Sequence, residues 1–434
     1  MIDVKAGDKA CKRFIAFSIL YFMITAFLVD TPREIFQGMK QIVISRDALI
    51  TDYFVIAGFG AAFLNAALVM LIEYVLLLVE KVPFTGLTLA AIYINAGFAL
   101  FGKNPVNILP IILGTCIYAA SHHTRLNRYI YTAMFGTCLA PFVTEMMYLL
   151  PFGNIINSIL SIGIGIFIGY VLPPMSAHTA TMHMGYNLFN VGFSAGIIAF
   201  VMVCVLQSFG VEAESVLIWE SNIPIWMYLW LLGFFICAYS YGQHLENGDL
   251  KKCLKIMRHP GRAVADYVLM DGAGATFTNM GLVGMMALLY ICLVGGQLSG
   301  PVIGAMLTAF GFAAFGAHPK NYLPVLLGVY LSTFINKFDA TTPAVQLAAM
   351  FAVGISPIAG QFGIVAGLFA GGLHVAIVTC TSSMYGGLNL YNNGFSCGWV
   401  AIFMVPLLES FIKRYELRRH QKAQKSLLGK EKIK

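Results

Sequence analysis

The chain has 434 residues, 59% of them hydrophobic and only 11% charged, with a net charge of +7; soluble proteins carry about 25% charged residues. That balance excludes a soluble globular domain. Nine of the 27 Lys and Arg lie in Lys413–Lys434, five in Lys251–Arg262 and four before residue 14. Such short basic flanks of apolar runs are the signature of membrane orientation, so no nucleic-acid partner is expected.

Residues 1–12 read as a cytoplasmic N-terminal segment. Apolar segments follow at roughly 13–29, 54–79, 84–101, 107–121, 129–150, 154–172 and 186–208. They make up a first transmembrane unit over 13–210. An external acidic connector, 211–223, holds Glu212, Glu214 and Glu220. A second unit, 224–412, has segments near 224–242, 268–294, 299–315, 321–335, 342–357, 360–380 and 386–412, and a basic cytoplasmic tail occupies 413–434. Runs of this length and composition predict membrane-spanning helices. No small-residue cleavage site follows the first run, so 13–29 is expected to be a signal-anchor helix. The nine cysteines are scattered without a Cys-x-x-Cys, as small apolar residues in helices. His122, His123, His178, His183 and His374 are expected at segment ends or loops, in a spacing that makes no metal site. Neither a metal nor a cofactor is expected.

The two units match each other. At an offset of 214 residues, Asp52, Tyr53, Gly58, Gly60, Phe63 and Asn65 lie over Asp266, Tyr267, Gly272, Gly274, Phe277 and Asn279. At the same offset "FGKNPVNILPIILG" from Phe101 lies over "FGAHPKNYLPVLLG" from Phe315. The shared positions include Pro105/Pro319, Asn107/Asn321 and Pro110/Pro324. "AMF" recurs at offset 216 from Ala133, with Pro141 over Pro357, and "GYNLFNVGF" from Gly185 meets "GLNLYNNGF" from Gly387 at offset 202. Seven segments per unit reverse the second relative to the first. With the amino terminus inside, 22 Lys and Arg fall inside and five outside (Arg33, Lys40, Arg46, Lys103, Lys337). The expected fold is therefore an all-α polytopic membrane protein of two inverted-topology repeats, about seven transmembrane segments each, with broken or re-entrant helices. Both termini are expected in the cytoplasm and the protein in the inner cell membrane.

Matched proline breaks at Pro105, Pro110, Pro319 and Pro324 read as half-helix starts, since irregular backbone in a bilayer survives only where protein or a wet cavity satisfies it. Asn107 and Asn321 are placed to cap those starts, either as caps alone or as solute contacts, with Pro110 and Pro324 in the first turn. Asn65 and Asn279 lie inside apolar helices and need a partner, from another helix or a solute. The glycines of "GFG" and "GAG" are expected to allow close helix packing. Asn187 and Asn190, like Asn389 and Asn392, are expected on one helical face. These amides suit a neutral or zwitterionic solute, or a cation held by carbonyl oxygens. Glu145 and Glu73 are the candidate coupling acids; neither is duplicated, since Gln361 and Ala287 stand at the matched positions.

The two-unit pattern resembles an uncharacterised family of bacterial tandem-repeat integral membrane proteins, which implies no activity. "NMGLVG" at Asn279 followed by "HPKNYLPVLLG", and the looser "NAALVM" with "NPVNILP", are similar to elements of urea transporters. That likeness implies a channel-type facilitator of a small polar solute. The expected function is transport of such a solute, with a proton or cation as candidate coupling ion. Besides the lipid bilayer and the solute, a second copy of the chain is a candidate partner. A scaffold or membrane-embedded enzyme is the alternative of another class: the enzyme is disfavoured because no acid–base pair or nucleophile–base set stands near the motifs, the scaffold because it need not duplicate polar motifs in both halves.

Overall fold

The structure, a computed structural model, describes residues 3–47, 50–211, 217–385 and 387–431. The first half holds α1 (Val4–Val29), α2 (Pro32–Ile44), α3 (Tyr53–Ala57), α4 (Phe59–Val79), α5 (Gly86–Phe98), α6 (Leu109–Ser121), α7 (Ile130–Gly136), α8 (Ala140–Leu149), α9 (Asn154–Met182) and α10 (Asn190–Ser208). The second holds α11 (Ile225–Leu245), α12 (Leu250–Ile256), α13 (Tyr267–Met270), α14 (Ala273–Leu293), α15 (Gly300–Phe312), α16 (Pro319–Ser332), α17 (Pro343–Phe351), α18 (Ser356–Phe362), α19 (Ile364–Thr381) and α20 (Asn392–Glu431). One short parallel pairing joins β1 (Ile50–Thr51) to β2 (Leu217–Ile218). Among the described residues, nine helices are long and apolar enough to cross a membrane. The chain is an all-α multi-pass membrane protein.

Several expected bounds move. Helix α1 starts at Val4 because the Asp3 carboxylate accepts from the Lys5 and Ala6 N–H groups at 3.0 Å, so most of the expected 1–12 segment is helical. Helix α20 likewise runs through most of the expected tail. The stretches near 129–150 and 342–357 each break into two helices around a 3-10 turn, Thr137–Leu139 and Ala352–Ile355. Pro141 and Pro357 open the helices after those turns, where a missing N–H costs least. Helices α5 and α15 have thirteen residues each, about 20 Å of rise against roughly 30 Å of hydrocarbon. Glu212 and Glu214 of the expected connector lie outside the described residues.

Matched positions make matched contacts, and many cross between the halves. Gly97 on α5 meets Gly304 on α15 so closely that a Cβ at Gly97 would lie 2.3 Å from the Gly304 carbonyl oxygen. Gly311, which matches Gly97, meets Ala90, which matches Gly304. The Asp52 carboxylate accepts from the Gly300 N–H at 3.0 Å, and its counterpart Asp266 accepts from the Gly86 N–H at 2.9 Å. Each half therefore caps the short central helix of the other. Tyr53 N–H donates to the Leu100 carbonyl at 3.0 Å, and Tyr267 N–H to the Ala314 carbonyl at 3.1 Å.

Asp52 also accepts from the Phe54 and Glu220 N–H groups at 3.0 and 3.2 Å. Its removal strands three backbone donors, two of them from the other half or the connector. Asp52→Ala is expected to cost about 2–3 kcal/mol, and Asp52→Asn clearly less, because an amide oxygen still accepts. Thermal unfolding in detergent checks this; equal losses for the two variants would deny the capping role.

The "GFG" and "GAG" glycines divide into two roles. Gly58 and Gly272 precede α4 and α14 with φ of +85° and +94°, a region that favours glycine. Gly60 and Gly274 provide the expected close packing, against the Ala26 carbonyl and Glu246 respectively.

Candidate functional site

The buried asparagines mostly hold backbone. Asn65 Nδ2 donates to the Ala99 and Lys103 carbonyls at 2.6 and 2.7 Å; Asn279 Nδ2 donates to the matched Ala313 and Ala317 carbonyls at 2.7 and 2.9 Å. The partner each needed is thus the end of α5 or α15. Asn107 Oδ1 accepts from Asn104 N–H and Asn321 Oδ1 from His318 N–H, both at 2.9 Å, while their Nδ2 groups reach the Gly102 and Gly316 carbonyls at 3.2 and 2.9 Å. Asn107 Nδ2 is also 3.2 Å from Asp47 Oδ2 and 3.1 Å from Thr144 Oγ1. Both act as caps of an irregular entry, although neither is the N-cap residue itself: those are Ile108 and His318. Pro110 lies at the second position of α6, as expected. Its match does not, because α16 opens five residues earlier at Pro319, which leaves Pro324 inside the helix. Pro105 stays in the turn before α6.

The third motif departs from the single helical face expected of it. Asn187 and Asn389 sit in bends that precede α10 and α20, while Asn190 and Asn392 open those helices. Asn187 Oδ1 accepts from Phe189 N–H and Asn389 Oδ1 from Tyr391 N–H, both at 2.9 Å. Thr179 donates to Asn190 Oδ1 at 3.0 Å, and Thr381 to Asn392 Oδ1 at 2.9 Å, so each bend is tied back to the preceding helix. The bends also reach across the molecule. Leu188 N–H donates to the Gly354 carbonyl at 2.8 Å and Leu390 N–H to the matched Cys138 carbonyl at 3.3 Å.

Two cavities border these bends. The first, about 450 Å³, is lined by Leu87, Tyr131, His183, Asn187, Asn190, Arg262 and Phe315 among others. The second, about 430 Å³, is lined by Ile50, Phe101, Leu217, Thr342, Leu347, Asn389 and Asn392 among others. Many lining positions correspond: Tyr131 to Leu347, Asn187 to Asn389, Asn190 to Asn392 and Phe315 to Phe101. The start of α5 faces the first cavity and the residues after its end face the second. Between them lies a buried aromatic layer. Phe189 meets Phe312 edge to face at 4.8 Å, and the matched pair Tyr391 and Phe98 meet at 5.3 Å. Phe189 and Tyr391 touch at 5.0 Å, and Phe351 stacks on Phe98 at 5.8 Å. Edge-to-face rings at such separations attract. Buried polar atoms without a partner among the described residues include His183 Nδ1, Asn389 Nδ2 and the Tyr391 hydroxyl.

The candidate acids fare differently. Glu145 is buried, but Arg46 Nη2 and Nε reach its Oε2 at 2.7 and 3.1 Å, and that arginine side chain is 46% exposed. Its charge is already compensated by a group that reaches solvent or headgroups. Glu73 is fully buried. Asn95 Nδ2 donates to its Oε1 at 2.5 Å and to the Met134 carbonyl at 3.0 Å, while Oε2 has no partner among the described residues. Lys103 Nζ donates to Asn95 Oδ1 and, at 2.8 Å, to Thr137 Oγ1. The same ammonium stands 5.0 Å from the Phe98 ring centroid. A neutral amide therefore bridges a buried acid and a buried base. Asp271 is paired with Lys255 at 3.2 Å and His259 at 2.9 Å. His374 is not at a segment end as expected: it lies inside α19, buried, near Asn393 Oδ1 and Ser396 Oγ at 3.2 Å each. No group of three metal-ligating side chains occurs among the described residues.

The sequence profile of a family described as "Protein of unknown function (DUF1576)" matches residues 31–208 and again 245–410. The chain belongs to the DUF1576 family. The two matches fall on the two repeated units, so the family domain is the repeat itself. No curated protein and no solved structure matches this DUF1576 chain, and the likeness to urea transporters rests on its motifs alone.

Sequence reasoning on this DUF1576 chain missed Asn95 altogether and did not place Lys103 in a site. Lys103 reads as one of five external bases, yet its side chain is fully buried. The repeat held the signal: Ala317 and Ala309 match Lys103 and Asn95, as Ala287 matches Glu73. Three polar residues against three alanines mark a one-sided site. The aromatic layer left no such trace, because Phe98, Phe189 and Phe312 look like ordinary core.

Proposed function

We propose that the protein is a membrane transporter of a small polar solute, built from two inverted-topology repeats that meet at the aromatic layer. The carrying observation is the pair of repeat-related cavities on either side of that layer. A solute site between two inverted repeats, with broken helices around it, is the common plan of secondary transporters. The bias of bases supports the orientation: Arg262 borders the first cavity and belongs to the loop assigned inside, while Leu217 borders the second and belongs to the connector assigned outside. The closed layer favours alternating access over a continuous pore.

The proposed solute contacts overlap those expected only in part. Asn107 and Asn321 spend both ends of their amides on neighbouring chain groups, while Asn65 and Asn279 give Nδ2 to backbone and keep a buried Oδ1 without a partner among the described residues. His183 Nδ1, Asn389 Nδ2 and the Tyr391 hydroxyl have capacity left, and uncharged donors or acceptors of this kind suit a neutral or zwitterionic solute.

Proteoliposomes offered a panel of radiolabelled urea, amino acids and polyols test the reading. Protein-dependent uptake of at least one member is expected, with strong loss in Phe189→Trp, which fills the layer. Absence of protein-dependent flux across the panel, or flux indifferent to Phe189→Trp, refutes it.

A further inference from the structure

We propose that Glu73 carries a coupling proton and acts on the aromatic layer through Asn95, Lys103 and Phe98. This deepens the transport reading and rests on it for its purpose, although its test needs no known solute.

The second half is an internal comparison. Where the first half has Glu73, Asn95, Lys103 and Thr137, the second has Ala287, Ala309, Ala317 and Val353. The backbone there is held in the same way in both halves, by Asn65 on the Lys103 carbonyl and by Asn279 on the Ala317 carbonyl. The fold therefore closes without any of the four polar side chains. A buried ion pair is often no more stabilising than a packed apolar substitute, and ionisable groups at membrane depth are costly. Packing does not explain the cluster; a task does.

The acid is the incomplete member. Lys103 has Asn95 Oδ1, Thr137 Oγ1 and the face of Phe98. Glu73 has one amide on Oε1 and, among the described residues, nothing on Oε2. The charged group facing it is Lys103, with the Cys138 thiol beyond that lysine. α5 contributes the neutral Asn95, and α7 the Met134 carbonyl that Asn95 also binds.

The cluster abuts the layer at two points. Phe98 carries the Lys103 ammonium on its ring and meets Tyr391 and Phe351. Thr137 precedes Cys138, whose carbonyl accepts the Leu390 N–H of the second bend. A hydronium ion gives up a proton, breaking one of its O–H bonds and leaving water; the new O–H bond forms at Oε2, and the net charge of the pair rises from zero to plus one. Lys103 then lacks its counter-charge in a buried site and is drawn toward water. Phe98 and the Thr137–Cys138 turn move with it.

Infrared difference spectroscopy of the purified protein in lipid, stepped between mildly acidic and mildly alkaline buffer, reads both parts. The wild type is expected to show a protonated-carboxyl band that grows on acidification, together with an amide I change. Glu73→Gln loses both and Glu73→Asp keeps both. The apolar variant E73L/N95L/K103M also loses both, and serves if Glu73→Gln fails to fold. Phe98→Leu keeps the band and loses the amide I change. A wild type with no Glu73-dependent band, or with a band and no accompanying amide I change, overturns the proposal. Its failure is separable from that of transport: band and amide change without flux would sink the transport reading alone, and flux without the band would sink this one alone.

Discussion

Lys103→Met alone is expected to destabilise the protein by about 3–5 kcal/mol, because it leaves the Glu73 carboxylate without its buried counter-charge. The side chain removed is apolar along most of its length, so methionine replaces its volume and the loss reports the charge. Adding Glu73→Leu and Asn95→Leu is expected to recover most of that loss. The second half carries alanine at all three matched positions and packs around them. Thermal unfolding in one detergent, run on the single, the double and the triple variants, makes a cycle in which strong non-additivity is the expected sign. Additive losses would mean that the cluster is held by packing and that Glu73 and Lys103 do not feel each other. Glu145→Gln is a useful contrast, since a partly exposed Arg46 left behind can be hydrated.

Gly97→Ala is expected to cost at least about 1–3 kcal/mol, as overpacking of a tight contact does. Its Cβ would lie 2.3 Å from the Gly304 carbonyl oxygen and 2.8 Å from the Gly304 Cα. Both neighbours are backbone, so no rotamer change makes room, and the short helices α5 and α15 must separate. Separation also pulls on Asp52 and Asp266, whose carboxylates cap the opposite half. Gly311→Ala is expected to be milder, because its nearest neighbours lie at 3.0 and 3.2 Å. Gly163→Ala on α9, with nothing within 4 Å, is the control and should lose no stability. Equal melting midpoints for the Gly97 and Gly163 variants would show that the halves do not meet as described.

The repeat was the most legible feature of the chain. Offsets of 214, 216 and 202 residues join the residues whose contacts correspond: Asp52 and Asp266, Asn65 and Asn279, Leu188 and Leu390. Matching works because a duplicated backbone keeps its special positions, such as the positive-φ Gly58 and Gly272. Helix ends were less legible. Pro110 and Pro324 share a motif, yet one begins a helix and the other lies inside one, although Asn104 and Asn107 exchange the same pair of bonds as His318 and Asn321.

By itself, the sequence determined the membrane class, the two-unit plan, the lack of a counterpart to Glu73 or Glu145 and the positions where chain regularity breaks. All of these follow from residue type and spacing, which are local. Only the tertiary structure decided what the polar groups do. An asparagine amide satisfies a carbonyl of its own chain as readily as a solute, and Asn65 differs from Asn389 in partners that are distant in sequence. Lys103 is the sharpest case. Beside a proline break it resembles a loop base, and it becomes a buried one only because Asn95 and Thr137 fold around it.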